Sequence, residues 1–428
     1  VKQPGAVGAP AASSARQGEP PGAIVIGSDY AGLGIVRSLG RHSIPVWVIR
    51  ENGHVTAAVS RYTRRRLDWP NDDEEARIAW LDELAAHHRL DGWALFPTSD
   101  TAAALIARHE AVLGKRFRLT TPSWEAMRWA YDKKLTYELA ASLEIDHPLS
   151  FHPRSRAEVE ALECSFPAVL KPTVKEESNS FTIARAWRVD DRRQLLDRYD
   201  EASALIDPAD IIVQELIPGG GESQFSFVAL CEGGRPLVWG VARRARQYPP
   251  DFGYGSTFVE TVDLPQIEEP ARRFLAAISY DGLVEMEFKR DPRSGRLKLL
   301  DVNPRSWAWH TLAGRAGVDF PYLSWRRANG RDVAEGKARP GVRWVRGTND
   351  LAAAWHEIRN GRLSLRDYFR SIAPPVEYAV FAADDPLPSL LDMPSLLVRL
   401  WRRGGASAWR HSMAMIGRGR RDLVASLR

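Results

Sequence analysis

"LKLLDVNPRSWAW", residues 297–309, holds Leu297, Leu299, Leu300 and Val302 as a buried-strand pattern, with Asp301, Asn303 and Arg305 at every second position. Side chains two apart on a strand share a face. An acid, an amide and a guanidinium therefore emerge together from an apolar element. The preceding run "LVEMEFKRDPRSG" (283–295) supplies a partner strand, because Asp-Pro and Ser-Gly are turn dipeptides. A hairpin symmetric about residue 294 sets Glu287 opposite Asp301 and Glu285 opposite Asn303. Carboxylates facing each other are destabilising unless a cation lies between them, and two acids with an amide oxygen are hard ligands suited to Mg²⁺. A solvated sheet face with alternating charge accounts equally for Glu285, Glu287 and Lys289 taken alone.

Working outward, a chain of 428 residues exceeds one ordinary core and predicts two or three domains. Its two cysteines, Cys164 and Cys231, lie far apart, which argues against a disulfide scaffold and for a reducing compartment. No apolar run reaches the roughly 18–20 residues of a membrane span, and no signal-peptide order opens the chain, so a cytoplasmic location is expected. The net charge is +5, yet residues 393–428 carry eight Arg against one Asp, leaving the remainder slightly acidic. That distribution excludes a protein-wide nucleic-acid surface. The tail mixes Leu and Trp with Arg, the composition of a helix at a membrane surface; a helix packed on the protein's own body explains the same letters.

Residues 1–22 are small and Pro/Gly-rich and read as a disordered leader. From Ala23 the order strand, Gly-rich turn, helix (Leu33 to Leu39), strand ending at Ile49 is a βαβ unit, extended by helices at 74–88 and 101–112 around the strand in "GWALFPTSD". Gly27, Gly32 and Gly34 do not have the dinucleotide spacing G-x-G-x-x-G and are read as serving turn geometry and helix packing. After residue 120 the texture becomes α+β: a helix at 132–145, the short strand "FPAVLKP", a helix near 190–199, the strand "DIIVQELI", further strands to Val262 and a helix at 270–279. Helices are expected near 349–359, 363–371 and 394–403.

Several features carry chemistry only in combination. Lys133 starts a helix, Lys171 ends a buried strand before Pro172, and "QELIPGGGES" runs a strand through Glu215 and Ile217 into a Gly-rich turn that presents Glu222. With Glu-x-Glu-Phe and Asp-x-Asn-Pro-Arg, this order resembles the ATP-grasp superfamily of carboxylate–amine ligases over residues 23–330, in the branch of D-aspartate ligase and related amino-acid ligases. The resemblance implies an α/β and α+β fold: a Rossmann-like pre-ATP-grasp domain (23–120), an ATP-grasp domain (121–330, divided into 121–212 and 213–330), and a mainly helical C-terminal region (331–428). By position it implies Lys133 and Lys171 for nucleotide phosphates, Glu215 and Ile217 for adenine, Glu222 for ribose, and Glu287, Asp301 and Asn303 for metal. Arg305 then steadies the transferring phosphate, with Lys171 beside it.

The implied cofactors are ATP and Mg²⁺, with Mn²⁺ as a substitute, and the implied partners are a small carboxylate and a small amine, an amino acid or peptide. A homodimer is also compatible. Many relatives have Glu where Asp301 stands, which leaves one metal ion or two. The polar loop 173–180 holds Lys175 and Ser180 where the resemblance places a phosphate-covering loop. Arg243, Arg244 and Arg246 suit a substrate carboxylate, or a basic strand edge. Asp29 and Asp100 are placed to shape the acid-substrate cleft, and Trp307, Trp309 and His310 to wall it or to recognise a ligand. The rival reading is a nucleotide-binding protein that contacts a membrane surface or partner through its tail, without turnover.

Overall fold

The computed structural model describes residues 20–51, 53–70, 73–173, 179–248 and 255–392. The leader up to residue 19, Lys175 and the whole basic tail, including the expected helix at 394–403, lie outside the described residues. The first unit is a five-stranded sheet in the order β3-β2-β1-β4-β5, formed by β1 (Ala23–Ile26), β2 (Val46–Arg50), β3 (Thr63–Asp68), β4 (Ala94–Pro97) and β5 (Arg118–Leu119). All its pairings are parallel, as the βαβ pattern predicts. The strand β3, "TRRRLD", escaped the sequence reading because its half-buried alternation is written almost wholly in charged residues. The glycines do serve packing: a Cβ on Gly32 would stand 2.3 Å from the Gly27 carbonyl oxygen, and one on Gly34 would stand 2.6 Å from the His310 ring.

A small antiparallel sheet follows in the order β6-β9-β7-β8, from β6 (Ser150–Phe151), β7 (Ala168–Pro172), β8 (Trp187–Val189) and β9 (Ile211–Glu215). Its core, built on Leu170, Phe181, Leu195 and Val213, is separate from the others. The large sheet runs β14-β13-β10-β11-β12-β16-β17, with β15 beside β11. Its strands are β10 (Gln224–Glu232), β11 (Arg235–Tyr248), β12 (Gly255–Thr261), β13 (Gly282–Arg290), β14 (Leu297–Asn303), β15 (Gly336–Lys337), β16 (Arg343–Val345) and β17 (Glu377–Tyr378).

The last three strands belong to the region expected to be mainly helical, so the large sheet continues past residue 330 and the helices Gly347–Arg359 and Leu365–Ile372 are appended to it. Trp307, Phe320, Trp325 and Trp344 are buried in a core shared between the large sheet and the first unit. Residues 380–385 lash the same seam from outside: Arg37 donates to Oδ2 of Asp385 at 3.0 Å and to the Val380 carbonyl at 2.8 Å, and Ser60 donates to Asp385 at 2.7 Å.

Candidate active site

The hairpin of β13 and β14 pairs Glu287 with Asp301 and Glu285 with Asn303, the register expected from symmetry. A register shift beyond Glu287 then absorbs one residue of β14. The amide nitrogen of Asn303 lies 3.2 Å from Oε2 of Glu285 and 3.3 Å from Oε1 of Glu287, and Ser226 donates to the other oxygen of Glu285 at 3.0 Å. Glu285 is 5% exposed and Lys289 8%, which rules out a solvated sheet face. Burial, reinforced by the charge of Glu287, pushes the Glu285 carboxyl up to about 7.

Among the described residues no group of three His, Cys, Asp or Glu side chains converges as a metal site. The oxygen donors fit a hard cation nonetheless: two facing carboxylates, Glu287 and Asp301, and an amide that now turns its nitrogen toward two glutamates.

Across the cleft, Lys171 at the end of β7 donates to Oε1 of Gln214 at 2.8 Å, and Gln214 in turn donates to Ser150 at 2.8 Å. Burial, then repulsion from Lys133, pulls the Lys171 ammonium down to about 8, while Asp301 and Glu287 oppose that fall. Lys171 on the small sheet thus lies within electrostatic reach of Lys133, whose helix packs on the large sheet, and of the carboxylates Asp301 and Glu287. Lys133 is held in place because Asp132 caps its helix, accepting from the Lys134 backbone at 2.8 Å. Arg305 donates to Oδ2 of Asp100 at 2.9 Å, which joins the segment after β14 to the first unit. Asp29 instead caps the helix Tyr30–Arg41.

Of the adenine and ribose candidates, Ile217 and Glu222 line a cavity of about 920 Å³ together with Gly219, Gly220 and Lys289, while Glu215 is not part of its wall. Lys171 and the facing carboxylates are not among its lining residues, so the cavity adjoins the charged centre without containing it. Glu222 folds back and accepts from the Gly220 backbone at 3.0 Å. The carboxylate of Glu215 is bonded to Lys298 and to Arg293 at 2.9 Å, and its backbone N–H donates to the Leu149 carbonyl at 2.9 Å. Lys289 donates to the Gly219 carbonyl at 2.6 Å and holds the glycine turn. The sequence reading passed over that role, although its place two residues beyond Glu287 puts it on the same strand face.

The three arginines of β11 separate. Arg244 reaches Oε2 of Glu287 at 3.2 Å, Arg243 pairs with Glu260, and Arg246 forms a buried two-point pair with Asp350 at 2.9 and 2.7 Å. Register shifts between Arg244 and Gln247 break the alternation that would have set Arg244 and Arg246 side by side. Arg243 and Arg246 are thus paired with acids within the chain, though both also line the cavity beside Glu222. Trp307 and Trp309 are core residues rather than pocket walls. His310 is 1% exposed, lies 3.0 Å from the Ala31 carbonyl oxygen, and is pulled down by burial, so it is neutral and structural. Ser180 opens a short helix capped by Asn179.

No family model matches the chain. It is 24% identical over 224 residues to the D-aspartate ligase of Enterococcus faecium (strain Aus0004), covering 49% of this chain and 52% of that one. The chain spans about half the length of this curated relative. The crystal structure of an L-amino acid ligase from Bacillus licheniformis superposes with a TM-score of 0.61 at 18% identity, over 76% of this chain and 80% of that one. The biotin carboxylase domain of the Hydrogenobacter thermophilus 2-oxoglutarate carboxylase, in complex with MgADP, ADP and bicarbonate, gives 0.60 at 16%, over 75% and 73%. The chain has the ATP-grasp fold. In ATP-grasp terms, the charged centre lies where the small and large sheets face one another, and the first unit closes its third side through Asp100. No helix among the described residues is long and apolar enough to cross a membrane.

Proposed function

We propose that the protein is an ATP-dependent carboxylate–amine ligase, forming an amide or peptide bond between small substrates, at least one of them an amino acid or peptide. The observation that carries this reading is the gathering of Lys133, Glu287 and Asp301 around buried Lys171, with Arg305 within reach of Asp301. Two cations beside paired carboxylates suit a metal-bound polyphosphate, and a solved structure of the same fold contains MgADP.

A carboxylate is a poor electrophile. In the proposed reaction its oxygen attacks the γ-phosphorus of ATP, the bond to ADP breaks, and an acyl phosphate forms. The amine then attacks the acyl carbon, expels phosphate and loses a proton to give the amide. Glu287, Asp301 and Asn303 would hold Mg²⁺, which neutralises phosphate charge when bound. Lys171 and Lys133 orient the phosphates, and Arg305, fixed by Asp100, meets the charge of the transferring group. Ile217 and the main chain at Glu215 bound the adenine, and Glu222 swings from the Gly220 backbone to the ribose.

The test is phosphate release from Mg-ATP with pairs of amino acids, run beside Asp301→Ala and Asn303→Ala. Turnover in the parent that vanishes in both variants supports the reading, and equal rates in all three would refute the site.

A further inference from the structure

Beyond the charged centre, the seam between the first unit and the large sheet holds a second arginine that the motifs do not include. Arg346 follows β16 and is only 8% exposed, and its guanidinium carbon lies 3.7 Å over the ring of Tyr30. Tyr30 is the first residue of the 12-residue helix Tyr30–Arg41. The Nε of Arg346 is buried without a hydrogen-bond partner, and so is the hydroxyl of Thr257, whose main-chain oxygen accepts from the Arg346 backbone at 2.9 Å. The nearest acid is Asp392, with 3.7 Å between Nη2 and Oδ1, an attraction too long for a hydrogen bond.

A buried donor without an acceptor costs about 1–3 kcal/mol, so a ligand that accepts from both Arg346 and Thr257 would relieve two such groups at once. Arg305, Arg185 and Asp29 also act electrostatically on the Tyr30 phenol, so this donor set borders the cleft of the proposed reaction. Tyr30, Asp29, Arg185 and Arg305 all keep part of their surface open to solvent.

We propose that Arg346, stacked on Tyr30, binds a carboxylate of the amino-acid substrate that is not itself activated. The planar fork of guanidinium matches a carboxylate at two points, and the ring beneath it fixes the plane. Asp392 holds the guanidinium in orientation until that carboxylate arrives. The assignment rests on the ligase reading for the identity of its ligand, and it makes the protein select amino acids over simple amines and amino-acid amides.

The experiment compares the full chain with Arg346→Gln. Phosphate release is followed with amino acids and with their carboxamides, and melting temperature is followed on titration with alanine, glutamate, alaninamide and glutamine α-amide. The expected result is a KM for the amino acid raised about 10- to 100-fold, with kcat and the KM for ATP nearly unchanged and discrimination against the amide lost. Turnover with an unchanged KM and intact discrimination overturns the carboxylate site and leaves the ligase reading standing. Stabilisation by free carboxylates that disappears in the variant, in a parent that turns over no pair, sinks the ligase reading and keeps the site. Absence of any carboxylate-dependent stabilisation or turnover in the parent removes both. Should Arg346→Gln fail to fold, Arg346→Lys keeps the charge over Tyr30 but not the fork, and a normal KM in that variant overturns the proposal.

Discussion

Lys171 on β7 donates its hydrogen bond to Gln214 on β9, so the cation facing the paired carboxylates is aimed by its own sheet. Its ammonium is held down to about 8 chiefly by burial. The charged form is the one that meets phosphate, and it is lost as pH rises through that value. The kcat/KM for ATP should therefore fall above about pH 8. Lys171→Arg, which stays charged, should keep a flat profile at whatever reduced rate it shows. A profile in the parent that is level to about pH 10 would contradict the assignment.

Glu285 supplies a stability test in metal-free protein. Its carboxyl is raised to about 7, so the folded state holds a proton that the unfolded chain has already released above about 4.5. That contribution is fully present at low pH and is lost as pH rises through about 7, which makes the metal-free protein less stable at pH 8 than at pH 6. Glu285→Gln should flatten this slope and raise stability at pH 8 by about 1–3 kcal/mol. Urea unfolding at the two pH values measures it.

Arg246 and Asp350 are 8% and 0% exposed at their side chains and bonded at two points. Asp350→Ala leaves a buried guanidinium uncompensated and should cost about 3–5 kcal/mol. Arg246→Met combined with Asp350→Ala should recover much of that loss. A double-mutant cycle by denaturant titration reads the coupling, and independent, additive effects would show that the pair is not an anchor.

Gly34 lies against His310 and Thr311, each 2.6 Å from where a Cβ would stand. Gly34→Ala should force the first unit off the large sheet and destabilise the protein by about 1–3 kcal/mol, while Gly314→Ala, which would meet nothing, should be nearly silent. Thermal unfolding of the two variants makes the comparison.

The hairpin register was legible because turn chemistry and period-2 alternation act locally, and the pairs Glu287–Asp301 and Glu285–Asn303 followed from them. The parallel first sheet was legible for the same reason, except β3, whose arginines carry no apolar signal. What depended on distant partners was not legible. Nothing in "RRARQY" says that Arg246 will meet an aspartate 104 residues on, or that a register shift will part it from Arg244. Likewise Leu135, Leu139 and Leu143 mark the helix Lys133–Ser142 by their spacing, and Leu139 and Leu143 do pack on the large-sheet core, but the fully buried residues are Thr136, Tyr137 and Ala140, because the surface that receives the helix comes from elsewhere in the chain.

The cord formed by Val380 and Asp385 has a practical bearing on any attempt to shorten the protein. A fragment ending at residue 330, where the recognisable motifs stop, would lose the acceptors of Arg37 and Ser60 and the edge strands β16 and β17 together. The smallest piece expected to stay folded on its own reaches at least to Asp392, so the stretch with the least informative letters is mechanically indispensable to the rest.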